Sequence, residues 1–151
     1  MSRVTVASPV AGDALPMSQV PDPVFAEAMV GPGVAVMPED GRQDAVAPIG
    51  GTVVTLHPHA FVVADADGKG VLVHLGIDTV KQKGEGFTVL VAKGDTVRAG
   101  QPLITWDPEA VRAAGYSPVV PVVALDASAE ALSSLLTDGR VAAGEQLFVW
   151  S

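Results

Sequence analysis

The chemistry-bearing side chains with the tightest grouping are His57, His59 and His74, the three histidines of the chain, all within eighteen positions. A neutral imidazole nitrogen is nucleophilic near neutral pH, so histidine suits proton or phosphoryl exchange. His74 lies in Val71-Leu-Val-His74-Leu, whose alternation reads as a strand with His74 on the face of Leu72 and opposite Val73 and Leu75. His57 and His59 are two apart, so on an extended segment they point the same way. Pro58 between them removes a backbone donor and favours an edge or a turn. Residue types and spacing leave three uses open. A histidine in a valine-rich strand can be structural. Three imidazoles and a water could hold zinc. One imidazole could attack phosphorus while another stabilises the incoming charge.

The elements that must position these rings read as β-structure. Gly (16) and Pro (12) punctuate short runs of valine and other β-formers at Gly51–Leu56, Phe61–Ala64, Gly70–Leu75, Phe87–Val91 and Gln146–Trp150. Turn signals every eight to twelve residues or so predict an all-β sandwich or barrel. Helix is expected only as one or two short connectors. Pro108–Ala114 follows an Asp107 N-cap and ends at Gly115. Ser128–Leu136 starts with serine, carries Glu130 and stops near Gly139. Residues 1 to about 20 are expected to pack as an extended N-terminal arm of a single domain spanning 1–151.

Two internal echoes suggest that the chain is doubled. Val97-Arg-Ala-Gly-Gln-Pro-Leu-Ile-Thr-Trp106 aligns without gaps on Val141-Ala-Ala-Gly-Glu-Gln-Leu-Phe-Val-Trp150, with Val, Ala, Gly, Leu and Trp at matching places. Ser8-Pro-Val-Ala-Gly12 likewise echoes Ala47-Pro-Ile-Gly-Gly51. Each pairing reads as a turn followed by a strand, and two related halves would close one core together. The pattern resembles the hybrid-motif barrels.

Composition narrows the partners. A hydrophobic fraction of 48% and a charged fraction of 17% describe a globular chain long enough to bury a core. There are no cysteines, hence no disulfides and no thiolate metal site. The net charge of −8 argues against nucleic acid, since no basic patch is present to displace counterions. No window approaches the roughly 18 apolar residues of a membrane span, so no direct membrane insertion is expected. The start at Met1 lacks the basic region and apolar core of a secretory signal, which makes the cytoplasm the expected compartment. Met1 and the Trp150-Ser151 end suit a free-standing protein.

A longer ordered pattern surrounds the histidines. Val73-His-Leu-Gly-Ile-Asp-Thr-Val80, then Lys83-Gly-Glu-Gly-Phe87, closely resembles the signature of the glucose-type enzyme IIA proteins of the bacterial sugar phosphotransferase system. So do His59-Ala-Phe61 and Pro21-Asp-Pro-Val-Phe-Ala-Glu27 running into Met29-Val-Gly31 and Gly33-Val-Ala35. The match continues through Ala47-Pro48, Gly94-Asp95 and Pro118–Pro121, covering about residues 8 to 150 in the family's order. The resemblance implies an antiparallel β-sandwich with two histidines in a shallow apolar depression. It places His74 at the phosphorylated position, taking a phosphoryl group from the small phosphocarrier HPr and passing it to the EIIB domain of a glucose- or N-acetylglucosamine-type permease. It places His59 where a helper hydrogen-bonds the phosphate. Val24, Phe25, Met29, Val30 and Val80 match docking-face positions, and Asp22 and Asp78 match acidic ones near the site. No cofactor is required on this reading; His59 and His74 could bind zinc at a protein interface. Backbone donors near Gly76 could assist.

The chain departs from the family twice. His57 stands where many relatives carry a threonine, and Met1–Val10 has one basic residue and no amphipathic face for a membrane. The rival reading is a zinc-dependent hydrolase on a hybrid-motif barrel, suggested by His57-Pro-His59 with His74. A lipoyl or biotin carrier, suggested by Lys93-Gly-Asp-Thr-Val97, lacks a lysine flanked by Met or Asp at a hairpin tip.

Overall fold

The computed structural model describes residues 3–151. Among them the strands are β1 (Val4–Ala7), β2 (Gly12–Pro16), β3 (Gly33–Pro38), β4 (Gln43–Val46), β5 (Gly51–His57), β6 (Ala60–Ala64) and β7 (Gly70–His74). Then come β8 (Phe87–Val89), β9 (Thr96–Val97), β10 (Pro102–Trp106), β11 (Val120–Ala124), β12 (Leu132–Ser133), β13 (Arg140–Val141) and β14 (Gln146–Trp150). Two helices, α1 (Pro23–Ala26) and α2 (Pro108–Ala113), and three single 3₁₀ turns connect them. No helix among the described residues is long and apolar enough to cross a membrane.

All pairings are antiparallel. The large sheet has the order β13-β2-β3-β11-β7-β6-β5-β9, and two three-stranded sheets have the orders β1-β14-β12 and β4-β10-β8. The echoes explain this arrangement. Gly12 pairs with Val141 as Gly51 pairs with Val97. Ser8 exchanges backbone hydrogen bonds with Glu145 and Gly144, and Ala47 does the same with Gln101 and Gly100. At Gly12 an added Cβ would strike the Met37 carbonyl, and at Gly51 the Ala64 carbonyl, so each half needs glycine where its strands cross most closely.

The large sheet buries both faces in its centre. Val34, Val36, Val71, Val73, Val120 and Val122 point into the main core with Phe61, Trp106 and Phe148. The opposite face carries a smaller cluster in which Ala35 and Val123 pack under Met17, Val20 and Phe25. The segment from Met17 through α1 therefore covers the outer face beside β7.

Three expectations need correction. Residues 4–16 are extended, but as β1 and β2 within the sheets and not as an arm; Val6 and Val10 are fully buried, and detaching them would open the core. Met1 and Ser2 lie outside the described residues. Ser128–Leu136 forms only the 3₁₀ turn Ala129–Ala131 before β12, because Leu132 is buried opposite Trp150 and Leu136 donates its N–H to Leu147. Sheet pairing overrides local helix preference there. Helix α1 was not expected, although Asp22-Pro23 carries the same cap signal as Asp107-Pro108.

Candidate functional site

His74 ends β7, in register with Ala60 of β6, and shares the half-buried outer face with Leu72 while Val71, Val73 and Leu75 fill the core. His57 and Ala60 close a two-residue hairpin, leaving Pro58 and His59 as its turn. The ladder between β6 and β7 continues one step further, because the Leu75 N–H donates to the His59 carbonyl at 2.7 Å. This bond holds the turn against the end of β7. The His59 and His74 ring centroids lie 5.2 Å apart at 67°. Phe25 of α1 approaches His74 from another side, at 5.4 Å and 56°.

The backbone after β7 turns back under the ring. His74 Nδ1 lies 2.5 Å from the Gly76 carbonyl. A carbonyl oxygen only accepts, so Nδ1 carries the proton and the neutral ring keeps its lone pair on Nε2. Gly76 has φ +84°, and a Cβ there would lie 2.6 Å from Thr79 Cγ2 and 3.0 Å from the Ser117 carbonyl. Buried Thr79 donates its hydroxyl to the Leu75 carbonyl at 2.8 Å, tying the following 3₁₀ turn to the strand end. The Gly76 carbonyl thus acts on the ring as an acceptor. Sequence reasoning missed Thr79 and the ring contact of Phe25; the Asp22-Pro23 cap was the available sign of the latter.

Burial lowers the His74 pKa below the ordinary histidine value, against the opposing influence of the Gly76 carbonyl, Asp22 and Asp78. His59 is lowered further, to about 4, by burial first and then by its neighbours His74 and His57. Both rings are therefore neutral at pH 7. One presents a free nucleophilic nitrogen, and the other can donate a single N–H to an anion beside it.

The remaining candidates separate by exposure. Val24 (41% exposed), Met29 (70%) and Val80 (57%) are open apolar side chains on the segments around α1 and after β7, while Phe25 (7%) lies in the smaller cluster and offers a partner almost no area. Val30 is half-buried against the same cluster. Asp22 caps α1 by accepting from the Val24 N–H at 2.9 Å, and Asp78 is exposed in the turn after β7. The arrangement of three imidazoles around one ion is not found. His57 stacks on His59 at 5.7 Å and 23°, and no group of three or more His, Cys, Asp or Glu among the described residues could hold a metal.

The family model described as phosphoenolpyruvate-dependent sugar phosphotransferase system, EIIA 1, matches residues 4–129. The chain belongs to this EIIA family. It is 38% identical over 123 residues to the glucose-specific EIIA component of Oceanobacillus iheyensis, covering 80% of this chain and 73% of that protein. Glucose permease IIA from Mycoplasma capricolum shares the fold at a TM-score of 0.90 and 31% identity, covering 99% of this chain and 96% of that one. The beta-glucoside-specific EIIBCA component of Bacillus subtilis is 36% identical over 152 residues, which is 99% of this chain but only 25% of that relative. This chain is thus a glucose-type EIIA component of the sugar phosphotransferase system. The hydrolase alternative has no support among these relatives.

Proposed function

We propose that His74 is the phosphoryl carrier of this EIIA component and that His59 is its helper. The observation that carries the reading is the bond from His74 Nδ1–H to the Gly76 carbonyl, which leaves Nε2 as the nucleophile. Nε2 attacks the phosphorus of phospho-HPr. A new P–N bond forms as the bond to the donor's nitrogen breaks, and the departing nitrogen keeps the electron pair. The return step, to an EIIB domain, reverses this with His74 as leaving group. Little covalent work is required, and positioning with charge stabilisation does most of it. His59, at 5.2 Å, is within reach to donate one N–H to a phosphoryl oxygen.

Val24, Met29 and Val80 supply the apolar centre for docking, with Asp22 and Asp78 as an acidic rim suited to a basic partner. The sugar served is of the glucose or N-acetylglucosamine class, in line with relatives named for such permeases, and the site of action is the cytoplasm. Zinc on His59 and His74 would find two of its usual four ligands here, so a partner would have to complete the shell. Incubation with phosphoenolpyruvate, enzyme I and HPr should give an acid-labile, base-stable phosphate on the wild-type chain. Label retained by His74→Ala would refute the carrier assignment.

A further inference from the structure

We propose that His57 is a positioning residue: by stacking on His59 it holds that imidazole at the inclination to His74 that phosphoryl transfer out of the site requires. The proposal rests on the carrier and helper roles given above to His74 and His59.

His59 is held firmly through its backbone and weakly through its ring. Its carbonyl is fixed by the Leu75 N–H, yet neither ring nitrogen has a hydrogen-bond partner among the described residues. The histidine χ2 torsion is broad, so the backbone alone does not choose the ring's tilt. Two ring contacts remain to choose it. His74 meets His59 at 67°, and His57 lies nearly parallel to it at 23° and 5.7 Å. The hairpin makes the second contact possible. His57 ends β5 opposite Ala60, and the two-residue spacing across Pro58 returns His59 to the same side of the turn.

His57 itself is exposed and contributes nothing to either core cluster. Its ring contact is therefore with the site and not with the fold. Stacked imidazoles tolerate at most one positive charge between them, since two charges at this distance repel. The low pKa of His59 keeps the pair within that limit at neutral pH.

The test uses the wild-type chain, His57→Ala and His57→Phe, with phospho-HPr as donor and an EIIB domain as acceptor. His57→Ala should slow onward transfer about three- to tenfold through kcat, with KM for EIIB and uptake from phospho-HPr unchanged. His57→Phe restores a flat ring without a titrating nitrogen and should recover the rate to within about twofold. The His59 ring-proton resonances should move in His57→Ala and return toward their wild-type positions in His57→Phe. A labelled wild type with an unaltered onward rate in His57→Ala overturns the positioning role alone, as does a His57→Phe variant as slow as the alanine one. A wild type that takes no label removes the carrier reading and this proposal with it.

Discussion

At the scale of single residues, the proton on His74 Nδ1 decides the chemistry. Held at 2.5 Å from the Gly76 carbonyl, it makes Nε2 the nucleophile. Nitrogen-15 spectra at pH 7 should therefore show His74 as the neutral Nδ1–H tautomer. Because burial lowers its pKa below 6.5, phosphoryl uptake should stay level from about pH 7 to 8 and fall only in more acid solution. Stability responds in the same direction. The His59 pKa is about 4 when folded against 6.5 for the free group, so the unfolded chain binds protons first. Stability is full above pH 6.5 and declines as the pH falls toward about 4. Calorimetry across that interval should show a shallower decline for His59→Ala. Asp78 favours a positive His74 and must disfavour a phosphoryl dianion there, which promotes departure. Asp78→Asn should shift the equilibrium with phospho-HPr toward phosphorylated His74 by about two- to fivefold, read from the labelled fraction at steady state. The alternation around His74 was legible from its neighbours. The Gly76 carbonyl was not, because every residue carries one and only the fold aims it.

At the scale of elements, α1 and α2 begin alike, with Asp at the N-cap and Pro at the first helical position. Asp22→Ala and Asp107→Ala should each cost about 1 kcal/mol in urea unfolding. Only Asp22→Ala should also alter phosphoryl exchange, since α1 carries Phe25 to His74 and Asp22 itself acts on that ring. Equal exchange kinetics in the two variants would count against the role given to α1. The local signal sufficed for α2 and was present, though unread, for α1. It misled over 128–136, where a stretch opening with Ser128 and Glu130 yields to pairing with β14. Propensity is worth tenths of a kcal/mol per residue, whereas burying Leu132 against Trp150 is worth more.

At the scale of the whole molecule, the repeat makes one half's requirements those of the other. Gly12 and Gly51 are equivalent places where a strand passes over a carbonyl. Gly12→Ala and Gly51→Ala should each destabilise by at least about 2 kcal/mol, measured by urea unfolding. The halves are not equivalent in function, because His59 and His74 stand only on the β6 and β7 side and α1 covers the sheet beside them.

The sequence by itself determined the strand alternation, the doubled turn-and-strand pattern and the side of β7 on which His74 lies. These depend on periods of two and on short turn signals, which neighbouring residues carry among themselves. Only the tertiary structure decided that the Gly76 carbonyl would accept the His74 Nδ1–H, that Phe25 would face the ring from within the core, and that His57 would lie along His59. Phe25 and His74 are far apart in the chain and meet only through packing of the sheet's outer face. The other two contacts span two residues each, and the bends that the assembled sheet imposes after β5 and β7 set them.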